Sequence, residues 1–213
     1  MKQKDLLELY EEMTENLLHN EKPSFYLSNL SRQEENQIYP LSVLWRMKTT
    51  EQSKEHHPEG SVWNHTLLVL DEAAKVRDQS SEPKVFMWAA LLHDIGKPGT
   101  TRERKGKITS YDHDYEGEKL CIEFLNAFFE KEEFIKSVSS LVRYHMHMLY
   151  VLKGLPYGDM KGLLRNVDCH QIALLCKCDR MGRIGADRAV VEAEYGAFLQ
   201  KLLSLKVQIG NKK

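Results

Sequence analysis

The run VFMWAALL at residues 85–92 is apolar on every side of a helix, so it fits only where other elements surround it. Eight residues are too few to cross a bilayer, which leaves the middle of a helical bundle. Elsewhere apolar residues recur at i, i+3 and i+4, with few valine, isoleucine and threonine alternations and only 6 prolines in 213 residues. The expected fold class is therefore all-α. Helices are expected at about 1–20, 62–77, 82–94, 114–130, 133–148, 158–167, 169–183 and 187–206. A looser stretch covers 21–43, and the polar loop KTTEQSKEHHPEGS precedes residue 62. Pro83 suits a helical first turn. The segment IGKPGTTRERKGKITSYD, 95–112, reads as a long, basic, Gly-containing loop, and such loops inside compact domains are usually functional.

A chain of 213 residues can bury a sizeable core as one domain. Its 30 basic and 31 acidic side chains leave a formal net charge of −1, so nothing global draws it to nucleic acid or an acidic membrane surface. The first residues, MKQKDLLELYEEM, are charged and helical in pattern rather than secretory, and a cytoplasmic location without membrane spans is expected. Cys121, Cys169, Cys176 and Cys178 contain no C-x-x-C pair, so they are expected as small apolar core residues rather than a zinc ribbon. Trp63, Phe86, Trp88, Phe128 and Phe129 fall at helical spacing and are likewise expected in the core.

Against this pattern, several ionisable residues occupy apolar stripes, where an unpaired charge is costly. His65 precedes Leu68 and Val69 by three and four residues. His93 and Asp94 directly follow the all-apolar run. His145 follows Val142, Leu141 and Val138 by three, four and seven residues, and Asp179 follows Leu175 and Ile172 by four and seven. His113 stands at the end of the basic loop, where Asp112 or Asp114 could cap the next helix. His147, one turn after Arg143 and Tyr144, is expected on a more polar face. Taken singly, each inward residue is ordinarily a hydrogen-bonded core group. Together, three inward histidines, a loop histidine and two inward aspartates lack cations on their own faces, and a shared metal would satisfy all of them. Imidazole and carboxylate donors without thiolate suit Mn, Fe, Co, Ni or Zn, with Mg possible, as one ion or two.

The ordered stretches HHPEGSVWNHTLLVLDEAAK, AALLHDIGKPGTT, GKITSYDHDYEG, LVRYHMH and LLCKCDRMGR make the chain resemble the HD-domain superfamily of metal-dependent phosphohydrolases. The resemblance is closer still to the HD domain that follows the polymerase head in certain bacterial CCA-adding tRNA nucleotidyltransferases. It covers roughly 56–185. It implies an HD-domain helical bundle, with a helical extension at 1–55 packed on a metal-binding domain at 56–206 and a tail at 207–213. It also implies that His65, His93, Asp94 and Asp179 are the ligands of a first ion, and that His113 and His145 match the extra histidines of members holding a second. The pair Tyr111-Asp112 stands where related domains commonly have glycine before His113. No Gly-Ser-x-x-Arg or Asp-x-Asp polymerase signature is present, and 55 residues could not hold the polymerase head, so CCA addition is not expected of this sequence.

The implied chemistry is phosphoester hydrolysis, with Asp94 bridging two ions and orienting the attacking water. Lys97 would neutralise phosphate charge, with Thr101, Arg102, Arg143 and Arg180 as further substrate-binding candidates. His56 and His57 are expected as structural or rim residues. The implied substrate is a small phosphorylated molecule, a nucleotide for preference, as phosphomonoester or cyclic phosphate, and a tRNA end is compatible. The competing expectation is a non-catalytic, metal-containing module that binds a nucleotide or an RNA end; a third is a helical scaffold with satisfied buried polar groups.

Overall fold

The computed structural model describes residues 3–210, and it is an all-α bundle with a single small hairpin. Helices α1 (Gln3–His19) and α2 (Pro23–Leu30) are followed by the short α3 (Leu41–Trp45), which runs into a 3-10 turn at Arg46–Thr49. Helix α4 (Val62–Ala74) starts at Ser61, whose hydroxyl accepts from the Asn64 N–H, an N-cap that satisfies one otherwise unpaired donor. Before it, a bridge between Glu51 and Ser61 folds the polar loop back against the start of α4.

Helix α5 (Pro83–Leu92) carries the apolar run. Every residue from Val85 to Leu92 is buried, because α5 packs against α1, α4, α8 and α11 at once. Each large side chain removed from water there contributes about 1.5–3 kcal/mol. Trp88 stacks on Tyr10 with ring centroids 4.8 Å apart, and its indole N–H donates to Thr14 Oγ1 at 3.2 Å. Through these contacts α1 joins the same core as the rest of the bundle.

The segment expected as one loop at 95–112 is instead a one-turn helix, α6 (Lys97–Thr100), and a hairpin of β1 (Arg102–Arg104) and β2 (Lys107–Thr109). Lys105 and Gly106 form its two-residue turn, both at positive φ (52° and 72°), the handedness that matches strand twist. Helices α7 (His113–Asn126) and α8 (Glu132–Tyr144) pack as a pair. The helix expected over 133–148 is broken: α8 stops at Tyr144 and α9 (His147–Leu152) starts afresh. Helix α10 (Met160–Asn166) leads to α11 (Cys169–Met181), capped by the Asp168 carboxylate, which accepts from the His170 and Gln171 N–H groups. Helix α12 (Arg188–Gly210) lies on α11 and runs past the expected end at 206; of the tail, 211–213 lie outside the described residues.

All four cysteines are free and buried. Trp63, Phe86, Trp88 and Phe128 belong to the core, but Phe129 does not: it ends the α7 region at φ 61° and is 63% exposed. No helix among the described residues is long and apolar enough to cross a membrane.

Candidate metal centre

Six side chains meet where α4, α5, α7, α8 and α11 converge. His65 comes from α4, His93 caps the C-terminus of α5 and Asp94 follows it, His113 opens α7, His145 caps α8, and Asp179 lies near the end of α11. All six are buried, from 0% exposure at His65 and His93 to 8% at Asp179. They form two triads, His65–His93–Asp179 and Asp94–His113–His145, and within each the ligand atoms lie within 4.8 Å of one another. Asp94 joins them: Oδ2 is 3.3 Å from His93 Nε2, and Oδ1 is 3.5 Å and 3.6 Å from Nε2 of His113 and His145.

The backbone fixes which nitrogen each imidazole offers. Nδ1 of His93, His113 and His145 lies 2.8, 2.7 and 2.6 Å from the carbonyl oxygens of Ala90, Ser110 and Val142, each three residues earlier. A carbonyl can only accept, so Nδ1 carries the proton and Nε2 presents a lone pair. Those lone pairs converge: Nε2 of His113 and Nε2 of His145 are 3.2 Å apart, and His93 Nε2 is buried without a hydrogen-bond partner. Lone pairs facing one another beside a carboxylate call for a cation, and this nitrogen and oxygen donor set fits a first-row divalent metal.

Electrostatics do not act alike on the six candidate groups: at His93 burial is outweighed by Asp94, which raises its pKa, so a proton competes with metal for this ring. Burial opposes ionisation of Asp94, but Lys97 and His93 hold its carboxyl well below the usual range. Lys97 Nζ sits 2.7 Å from Asp94 Oδ2 and donates to Gln52 Oε1 at 2.6 Å. At Asp179 burial is likewise outweighed, here by Arg183 and His65, with Arg183 Nη2 3.6 Å from Oδ1. Burial, opposed by Asp94 and reinforced by His145 and Lys97, pushes His113 down to about 3. Anionic aspartates and a neutral histidine are the forms that bind metal.

The remaining sequence candidates are dispersed. Thr101 is occupied within its own turn, with Oγ1 donating to Lys97 O at 2.8 Å and 2.7 Å from Ser110 Oγ. Arg102 is exposed on β1 and donates to Thr101 O. Arg143 is committed elsewhere: it is buried, pairs with Asp114 at 2.5 Å and lies 3.3 Å from the Tyr115 ring centre. Arg180 pairs with Glu194 at 3.2 Å and lines, with His145, Asp179 and Arg183, a cavity of about 20 Å³, room for about one water. His147 overturns its expected polar face: it is fully buried, and its Nε2 accepts the Asp159 N–H at 3.0 Å. Asp112 takes the N-cap position of α7 at φ 59° without a side-chain cap bond, and Asp114 pairs with Arg143 instead of capping. His56 is exposed, whereas His57 stands edge-on to His65 at 4.7 Å.

Three neighbours of the centre escaped sequence reading. Gln52 and Glu59 lie in a polar loop with no periodicity to flag them, although HHPEG contains Glu59. Arg183 follows α11, and its only signal is the i, i+4 spacing from Asp179.

The HD-domain family model matches residues 62–181, more than half of the chain and all six converging residues. The chain belongs to the HD-domain family. Among curated proteins, it is 30% identical to a Multifunctional CCA protein of Actinobacillus pleuropneumoniae serotype 5b over 179 residues, 78% of this chain and 43% of the relative. It is 31% identical to one from Pseudomonas fluorescens (68% of this chain, 36% of the relative) and 32% identical to one from Teredinibacter turnerae (71% and 36%). This HD-domain chain thus spans less than half the length of these relatives. Glu59 and Arg183 lie just outside the family-matched segment.

Proposed function

We propose that the protein is a metal-dependent phosphohydrolase acting on a nucleotide or another small phosphorylated molecule, as a phosphomonoester or a cyclic phosphate. The observation that carries this reading is the convergence of carbonyl-tethered imidazoles on Asp94, with six donors in two triads joined by the 3.3 Å contact of His93 with Asp94. Mn, Fe, Co, Ni or Zn would be held by His65, His93 and Asp179 on one side and by Asp94, His113 and His145 on the other. Such ions supply Lewis acidity and a water of lowered pKa. The chain's own groups do the rest. Asp94 stands between the triads, where its carboxylate would bridge the ions and orient an attacking water. Lys97, beside Asp94, places positive charge where phosphate oxygens would lie. Arg180 and Arg183 border the cavity at His145 and Asp179 and are the cations an entering phosphate would meet.

A second reading, a non-catalytic metal-containing module that binds a nucleotide or an RNA end, is favoured by the similarity to Multifunctional CCA proteins, of which this HD-domain chain spans less than half. The test is a hydrolysis screen of nucleoside monophosphates, nucleoside 2',3'-cyclic phosphates and simple phosphomonoesters with added Mn, Co, Ni or Mg. Phosphate or monoester release that EDTA abolishes is the expected result. A metal-loaded protein that binds nucleotide and hydrolyses none of these would leave the binding module in its place.

A further inference from the structure

His65 differs from the other three converging histidines in how its second nitrogen is held. His93 and His145 sit at helix C-termini and His113 at a helix start, where carbonyls three residues earlier are within reach of Nδ1. His65 is inside α4, where the nearby carbonyls are already used: Ser61 O accepts the His65 N–H, and Val62 O accepts the Thr66 hydroxyl. No backbone oxygen bonds its Nδ1.

A side chain takes that place. Glu59 Oε1 lies 2.9 Å from His65 Nδ1, a buried nitrogen that has no aligned hydrogen-bond partner, and is hydrogen-bonded at 2.9 Å to His57 Nδ1. The Glu59 side chain is 1% exposed, and its other oxygen, Oε2, is 3.4 Å from the Ile184 N–H that follows α11. On the opposite edge of the ring, His65 Nε2 is 2.9 Å from Asp179 Oδ1. The imidazole therefore lies between two carboxylates: Asp179, which belongs to a converging triad, and Glu59, which groups with His57 and His65 on the other side of the ring.

Resting on the two-ion reading above, we infer that Glu59 is a positioning residue for the first ion: it holds the Nδ1 proton of His65 and so presents Nε2, as a lone pair, to the metal shared with His93 and Asp179. A carboxylate acceptor withdraws that proton more strongly than a carbonyl and makes Nε2 a better donor. The triad containing His65 is thereby the tighter of the two. By gripping His57 and the Ile184 N–H as well, Glu59 ties the 51–60 loop and the end of α11 to the same ring.

The test combines Co²⁺ titration of the metal-free protein with proton NMR of the Zn²⁺-loaded protein, on wild type, Glu59→Ala and Glu59→Gln. Wild type is expected to bind two ions and to show a slowly exchanging His65 Nδ1 proton far downfield, as a carboxylate partner requires. Glu59→Ala should weaken the tighter Co²⁺ step about 10–100-fold and leave the weaker step unchanged. Glu59→Gln keeps an acceptor without the charge, so it should lose less affinity and move the Nδ1 proton upfield; it decides the matter if the alanine variant does not fold. Two ions bound at wild-type affinity by both variants, or a Nδ1 proton unmoved in Glu59→Gln, would overturn the assignment and leave the two-ion reading standing. A wild type that binds no Co²⁺ would overturn that reading itself.

Discussion

Gly96 packs against the first turn of α7 with no room for a methyl group, and Gly96→Ala should therefore loosen one of the two candidate triads selectively. The backbone at 96 is ordinary for alanine, with φ −79° and ψ −17°, so the substitution adds only volume. A Cβ there would lie 2.1 Å from His113 O and 2.5 Å from Gly117 N, both backbone atoms that cannot rotate away. Reaching even the 3.0 Å limit of real Cβ contacts requires the first turn of α7 to withdraw by about 0.9 Å. Metal ligands tolerate displacements of about 0.2 Å, so His113 would leave its coordination position. Overpacking of this kind costs about 1–3 kcal/mol, which in a chain of this length lowers Tm by several degrees. Differential scanning fluorimetry and Mn²⁺ or Co²⁺ titration read the two effects. The expected variant melts earlier and loses the ion of Asp94, His113 and His145, while His65, His93 and Asp179, none of them on α7, keep theirs. A Gly96→Ala protein with wild-type Tm and two ions at wild-type affinity would refute the claim that this close approach positions His113.

Three further outcomes follow from the packing. Asp112 holds φ 59° and makes no cap bond, so Asp112→Gly should relieve the strain and raise stability by about 1 kcal/mol in thermal or urea unfolding; a loss of stability would contradict it. His147→Ala should cost about 2–4 kcal/mol, because the ring is fully buried and the Asp159 N–H loses its acceptor, with both ions retained; a silent variant would return His147 to a solvent-facing role. In the metal-free protein His57, His113 and His147 are depressed, chiefly by burial, to about 4, 3 and 4. Unfolding then takes up protons at these sites below pH 6.5. Their contribution is fully present above that pH and falls toward pH 4 by about 1.4 kcal/mol per unit for each histidine. His93, raised chiefly by Asp94 against the effect of burial, is protonated in both states within that window and does not offset the loss. Urea midpoints flat between pH 7 and 4.5 would contradict this.

The sequence made the bundle legible wherever a 3.6-residue period ran unbroken, and the apolar run of α5 carried most of that information. The same period placed His65, His93, His145 and Asp179 on inward faces. It misled at His147, because its face was counted along one continuous helix, whereas the chain breaks after Tyr144 and resumes at His147 in a new direction. Arg143 looked free because its partner, Asp114, lies 29 residues earlier on a different helix. The hairpin at 102–109 is mostly charged, with Ile108 its one large apolar residue and no apolar alternation, and only its Lys105-Gly106 turn specifies it. Gln52 and Glu59 act through tertiary contacts from an aperiodic loop, which no pattern in the chain encodes.

The central claim is that these six side chains exist to hold divalent metal, and elemental analysis of the purified protein beside its Asp94→Ala variant tests it most directly. Asp94 faces His93, His113 and His145 within 3.6 Å, so its removal should empty the centre. Two ions per wild-type chain and essentially none in a folded Asp94→Ala protein is the expected result; an unchanged metal stoichiometry in that variant would contradict the account.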